Sequence, residues 1–172
     1  NPVDMRRFMQ KTREKGLVAC WSGSVRKDDS DDQKGLRGII EPACRRTGTP
    51  LNVAEFHVSR VAPDDMPAWY RRSSVYLCAS AYEGASNSVM EAMACGLVVV
   101  ATDVGNHREI QASQIERFGR SGIIFAERNE AAFREVLERL RDVGGRHRAE
   151  LGRINFEEIR DRWSWKAWAS RY

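Results

Sequence analysis

Three short, wholly apolar runs constrain this chain more than anything else in it: Leu17–Trp21 (LVACW), Val75–Ala79 (VYLCA) and Leu97–Ala101 (LVVVA). A run with no polar alternation has no solvent face, which is the pattern of a strand buried on both sides in a parallel sheet. The segments between these runs read as helices. Leu36, Ile39, Ile40, Ala43 and Cys44 form a stripe at helical spacing, with Pro42 inside it as a kink and Gly48 and Pro50 ending it. Asn52–Val61 reads as a second strand. Residues 63–74 read as a short helix with Met66, Trp69 and Tyr70 on one side. The helix NSVMEAMAC stops at Gly96, and Ile123–Phe125 makes a fifth strand. Asn129 suits an N-cap for a helix marked by Phe133, Val136, Leu137 and Leu140, and the tail from about Ala149 to Tyr172 is helical and rich in Arg and Trp. Strands alternating with helices predict an α/β, Rossmann-like three-layer α/β/α domain with a parallel sheet. Ligands of such sheets bind beyond the carboxyl ends of the strands, so the loops to watch are 22–35, 59–64, 80–88 and 102–109.

At 172 residues the chain suits one domain, and its first residues lack a starting Met, so it reads as part of a longer protein. No apolar run approaches the roughly 20 residues that span a bilayer, and NPVDMRRFMQ has no signal-peptide core. Cys20, Cys44, Cys78 and Cys95 form no CxxC pair and read as buried free thiols in a reducing cytosol. His57, His107 and His147 lack metal-ligand spacing, and no metal is expected. A net charge of +4 without a basic block suits an anionic ligand better than a nucleic acid.

The chemistry concentrates in Tyr82–Gly96, YEGASNSVMEAMACG. Glu83 falls in a loop at a strand's carboxyl end, and Glu91 about one turn into the next helix. Gly84, Ala85, Ser86, Asn87 and Ser88 between them leave backbone amides open. A helix N-terminus offers unpaired N–H groups and about half a positive charge, which suits a diphosphate. Carboxylates beside it suit sugar hydroxyls, so a nucleotide sugar would satisfy the loop. The spacing Ser88-Val-Met-Glu91 equally fits a capping box, in which Glu91 only reaches back to the cap.

The string YEGASNSVMEAMACGLVVVATDVGNHREI resembles the donor-binding signature of retaining GT-B glycosyltransferases of the large "group 1" family. The Glu-seven-Glu spacing, the EAMACG helix end, the apolar strand and a Gly105-then-Glu109 turn occur together and in order. Weaker likeness covers most of the chain. Asn1–Asp4 resembles the segment after the interdomain linker, and WSW near the end resembles the C-terminal helix. The resemblance implies that residues 1–172 are the nucleotide-sugar-binding C-terminal domain, with an N-terminal acceptor domain absent, and that residues 149–172 pack on this half or the other. It implies that Glu91 accepts hydrogen bonds from the ribose and that Glu83 orients the transferred sugar. Amides of Gly84–Ser88 then face sugar and diphosphate, and Lys34 binds the diphosphate and stabilises the departing nucleotide. Glu83 and Lys34 are thus the candidate catalytic residues. Gly23, Ser24, Arg26 and Ser59 join the candidate binding set.

The chain departs from the family in three places. Ser24 follows Gly23 where an arginine is common, so that either Arg26 substitutes for it or the second phosphate contact is lost; Arg26 and Lys27 also read as a solvated pair beside Asp28 and Asp29. The Gly-rich strand and helix often inserted before residue 52 are missing, which moves the base contact to backbone near Val58–Arg60. Asn106 stands where a second glycine is common. His57 reads as a half-buried strand histidine; Met66, Met90 and Met93 read as core. Trp163, Trp165 and Trp168 read as a helix packed on a domain surface, with an interfacial membrane helix as the alternative. The implied function is transfer of a hexosyl group from an NDP-sugar to a glycan or glycolipid acceptor, with retention and without a cofactor. It places the protein in the cytoplasm or at the inner face of the membrane. The alternatives are a non-catalytic nucleotide-sugar-binding module and a nucleotide-sugar epimerase on the same scaffold.

Overall fold

The computed structural model describes residues 2–8, 16–25, 32–59 and 61–170. Five strands, β1 (Ala19–Gly23), β2 (Leu51–Glu55), β3 (Val75–Cys78), β4 (Val98–Ala101) and β5 (Ile123–Phe125), form one sheet in the order β2-β1-β3-β4-β5. Every neighbouring pair is parallel. Alternate side chains serve two helical layers. Trp21, Leu77 and Val100 face a π-helical turn (Leu36–Ile40), α1 (Glu41–Thr47) and α5 (Glu130–Asp142). Cys20, Tyr76, Cys78 and Val99 face α2 (Met66–Tyr70), α3 (Asn87–Ala94) and α4 (His107–Phe118). The domain is thus a Rossmann-like α/β/α sandwich, and its apolar strands are apolar because both faces are covered. The strand order reverses between β1 and β3, so their carboxyl ends flank the crevice where such sheets take ligands.

Local chemistry explains most boundaries. Pro42 does not break its stripe. It sits in the first turn of α1, directly after the widened turn at Leu36–Ile40, whose last amide hydrogen bond runs from Glu41 N to the Leu36 carbonyl. Cys20, Cys44, Cys78 and Cys95 are buried free thiols. Among the described residues, no helix is long and apolar enough to cross a membrane.

Four expectations need correction. β2 ends at Glu55 instead of reaching Val61, because the amides of Val58 and Ser59 both return to the Glu55 carbonyl, at 3.0 and 2.9 Å. The helix expected over residues 63–74 is only the short α2, after which Arg71 and Arg72 turn. α4 fills a segment read as little more than a turn. Its buried face is His107, Ile110 and Gln114, two of them polar, so hydrophobic periodicity is nearly blind to it. Gln114 is satisfied there, accepting from Ser121 Oγ (2.6 Å) and Gly122 N (3.0 Å) and donating to Asn155 Oδ1 (2.8 Å). The tail helix α6 begins at Gly144 and ends at Glu158; a second widened turn, Ile159–Trp163, leads to α7 (Trp165–Ala169).

Helix α6 packs against α3 and α4. Asn155 there ties two loops together, donating to Leu97 O at 2.7 Å and Gly122 O at 3.0 Å. Trp163 is half-buried against the core and donates to Glu158 Oε1 at 3.3 Å, whereas Trp165 is exposed. The two ends of the chain meet: Val3 N donates to Trp163 O (2.8 Å), and Trp165 N donates to Val3 O (3.2 Å).

Candidate functional site

The crevice at the β1/β3 reversal is a cleft of about 1110 Å³. Its floor comes from the ends of β1 and β3, one side from Lys34 and the Glu83 loop, and the other from Arg7, residues 54–57, residues 61–63 and Met66.

Lys34 reaches the cleft because its loop is stapled to the end of β3. Gly35 has φ +67°, and a Cβ there would lie 2.5 Å from Ala79 Cβ and 2.6 Å from Ala79 O, so only glycine permits this approach. Ala81 N donates to Gln33 O at 2.8 Å. From the loop after β5, Arg128 donates to Ala79 O (3.1 Å) and to Asp32 O (2.6 Å). The ammonium of Lys34 then stands 2.6 Å from Glu83 Oε1, the same oxygen that accepts Ser80 Oγ at 2.7 Å.

The Glu83 loop is held from the far side by the turn after β4. Gly105 has φ +58°, and a Cβ there would sit 2.1 Å from Gly84 O. Asn106 N donates to that same carbonyl at 3.1 Å. The glycine that opens the Gly105–Glu109 turn is therefore a backbone-packing requirement of the Glu83 loop. The Asn106 side chain lies against Met90 Sδ (3.8 Å) and does not line the cleft.

Helix α3 starts two residues earlier than a capping box at Ser88 needs. Ser86 is its N-cap, and no side chain caps the helix. Its first-turn amides are thus left to solvent or a ligand, with the positive end of the helix dipole behind them. Glu91 does not reach back to the cap. Its Oε2 accepts the Tyr70 hydroxyl at 3.2 Å, and Tyr70 exchanges a 2.9 Å hydrogen bond with Ser22 Oγ. Tyr76 OH donates to Ser22 O at 3.0 Å. Burial raises the Glu91 carboxyl above its ordinary value, opposed by the Tyr70 hydrogen bond and by Arg7. Burial, then Tyr76 and Glu91, push the Tyr70 phenol well up, so it stays a neutral donor.

Of the residues expected at the site, Gly23, Ser24, Lys34, Glu83, Ala85, Ser86, Asn87, Ser88 and Glu91 line this one cleft. Gly84 lies just behind it, engaged with Gly105 and Asn106. Ser59 does not line it. Its hydroxyl folds back onto β2, accepting Glu55 N at 2.7 Å, because the strand has already turned. Arg26 and Arg60 fall outside the described residues. Ser22, Tyr70 and Tyr76 escaped sequence reading because a Tyr in a helix stripe or strand counts as apolar core. Only a three-dimensional neighbour reveals what its hydroxyl does. Arg7 was missed because it comes from a segment distant in sequence; it donates to Pro63 O at 2.7 Å and to Asp64 Oδ1 at 2.8 Å.

Residues 39–142, more than half of the sequence, match the family described as "Glycosyl transferases group 1". The chain belongs to the group 1 glycosyl transferases. Solved structures agree on the fold. Sucrose-phosphate synthase from Thermosynechococcus elongatus superimposes with a TM-score of 0.69 at 14% identity, covering 99% of this chain and 49% of that one. The C-terminal domain of a group 1 family glycosyl transferase from Francisella tularensis gives 0.69 at 16% identity, over 95% of this chain and 99% of that one. The catalytic domain of starch synthase IV from Arabidopsis thaliana, bound to ADP and acarbose, gives 0.68 at 15% identity, over 98% and 39%. The chain thus spans about half or less of the longer proteins it resembles and nearly all of the isolated C-terminal domain. None of the curated protein sequences matches it.

In this group 1 glycosyl transferase one histidine differs from expectation. His57 is exposed, not half-buried, since β2 stops short of it; it meets Phe56 edge-on at 5.0 Å, and both line the cleft. His107 is fully buried at the start of α4, with Nδ1 2.9 Å from Thr102 O, and takes no part in the cleft. Met90 and Met93 are core, while Met66 is part-buried and lines the cleft.

Proposed function

We propose that the chain is the donor-binding half of a retaining glycosyltransferase that moves a hexosyl group from a nucleoside diphosphate sugar to a glycan or glycolipid acceptor. The observation that carries the reading is one cleft lined by a cation, an uncapped helix start and two carboxylates, the groups such a donor requires. Glu91 takes the ribose. The first-turn amides of α3 and Lys34 take the diphosphate, and Glu83 takes the transferred sugar. The ADP in the starch synthase IV structure supports a nucleoside diphosphate as the ligand class. Lys34 and the α3 dipole stabilise the charge that develops as the nucleoside diphosphate leaves, with no metal required of the protein. Catalysis then rests on positioning and on this electrostatic stabilisation. The diphosphate helps to deprotonate the acceptor on the face it vacates, which accounts for retention. The acceptor is held by a partner half that these 172 residues do not contain, so the chain alone transfers nothing. The protein works in the cytoplasm or at the inner membrane face.

Calorimetric titration with UDP, GDP, ADP and their glucose or mannose derivatives tests the reading, alongside Lys34→Ala and Glu91→Ala. Binding of one nucleotide class, lost in Lys34→Ala and weakened in Glu91→Ala, is the expected result. Binding unaffected by either substitution would place the ligand elsewhere and overturn it.

A further inference from the structure

We propose that Tyr70 is the positioning residue of the ribose-binding carboxylate: seated on Ser22, its hydroxyl fixes one oxygen of Glu91 and leaves the other to accept from the sugar diol. The inference rests on the ribose reading of Glu91 given above.

The hydroxyl relay behind Glu91 is built from three elements that the fold brings together. Tyr76 on β3 donates to the Ser22 carbonyl on β1 (3.0 Å). The Ser22 hydroxyl lies 2.9 Å from Tyr70 OH on α2, and Tyr70 OH lies 3.2 Å from Glu91 Oε2 on α3. Tyr70 is fully buried and Tyr76 nearly so, and the Tyr70 ring is packed edge-on by Trp69 (5.1 Å) and Tyr76 (5.9 Å). A ring wedged in this way cannot swing, so its hydroxyl is a fixed point. A glutamate side chain is long and loses rotamer freedom when a ligand pins it, and holding it beforehand removes part of that cost from binding. Among the described residues no hydrogen bond reaches Glu91 Oε1, and Glu91 lines the cleft. The relay therefore presents one free, oriented acceptor to whatever occupies the cleft.

A second consequence is electrostatic. The charged and titratable groups around Glu91 are Tyr70 from α2, Arg7 from the N-terminal segment and Cys95 at the end of α3, with Asp4 in the shallow recess beyond. Burial favours the protonated carboxyl, and Tyr70 and Arg7 oppose it. Removing the Tyr70 hydroxyl takes away a donor to the ionised form, so Glu91 titrates at higher pH.

The test uses the 172-residue chain with Tyr70→Phe and Ser22→Ala. UDP, GDP and ADP are titrated calorimetrically, each with its 3′-deoxyribose counterpart, and the Glu91 carboxyl is followed through pH by carbon NMR without ligand. In Tyr70→Phe the preference for the ribose form falls about three- to tenfold. Affinity for the deoxy form stays within about twofold of wild type, and the Glu91 midpoint rises. Ser22→Ala moves both readouts in the same direction by less, and carries the test should Tyr70→Phe fail to fold. An unchanged ribose preference in Tyr70→Phe, or equal weakening of both sugar forms, overturns the role of Tyr70 alone. Failure of all six compounds to bind overturns it together with the reading of the cleft on which it rests.

Discussion

Glu83→Gln should tighten nucleotide binding while it impairs transfer, an outcome that follows from the Lys34–Glu83 pair. The two groups are 2.6 Å apart, with Lys34 35% and Glu83 16% exposed. At an effective dielectric of about 20, charges some 4 Å apart attract by about 4 kcal/mol. Desolvation, side-chain ordering and the exposure of Lys34 cut the net value to about 1 kcal/mol. If Lys34 serves the diphosphate, that pair must loosen before the ligand can use the ammonium. Glutamine has the same shape and still accepts Ser80 Oγ, yet has no charge with which to hold Lys34. The released 1 kcal/mol corresponds to about fivefold tighter binding of the nucleoside diphosphate. Relief of repulsion between Glu83 and the phosphates acts in the same direction. Calorimetry at two salt concentrations reads the effect, and the gain should shrink as salt screens the pair. If Glu83 orients the transferred sugar as proposed, turnover of the intact enzyme falls about a hundredfold or more. The combination Lys34→Ala with Glu83→Gln should show no gain. Unchanged affinity in Glu83→Gln would mean that Lys34 does not leave Glu83 to bind phosphate. Weaker binding would mean that the carboxylate itself holds the nucleotide, and either result refutes the reasoning.

Two further predictions concern the scaffold. Gly35→Ala places a Cβ 2.5 Å from Ala79 Cβ at φ +67°, whereas Gly48→Ala has a similar φ of +64° with nothing within 4 Å. Gly48→Ala should cost about 1 kcal/mol of stability and Gly35→Ala about 2 kcal/mol more, with nucleotide binding lost only in the latter; equal urea midpoints would remove the close approach as its cause. His107 has its titration lowered mainly by burial, and its Nε2 is buried without a partner. Its folded pKa lies below its unfolded one, so stability is fully present above the ordinary histidine value of about 6.5 and is lost as pH falls from there through the folded pKa. Melting temperatures from pH 8 to pH 5 should therefore drop more steeply in wild type than in His107→Gln, and parallel curves would exclude His107 as the source.

The sequence alone determined the α/β class, the strands β1, β3, β4 and β5 to within two residues, and the position of the Glu83–Glu91 stretch beyond a strand's carboxyl end, where the cleft lies. These signals are local or strictly patterned. A strand covered on both faces must be apolar throughout, and a loop that packs on backbone must carry glycine. Tertiary structure decided what those signals left open. α4 was hidden because its buried face is largely polar, and Gln114 is tolerable there only because Ser121, Gly122 and Asn155 satisfy it. β2 was read too long because the return of Val58 and Ser59 to the Glu55 carbonyl competes with strand pairing and leaves no mark on hydropathy. The two readings of Glu91, cap or ligand acid, had the same spacing. The structure removes the cap, because the helix starts at Asn87 and a tyrosine 21 residues earlier in the chain reaches the carboxylate. Hydrogen bonds between residues far apart in the chain depend on how elements pack in three dimensions, and a one-dimensional pattern carries the elements but not their meeting points.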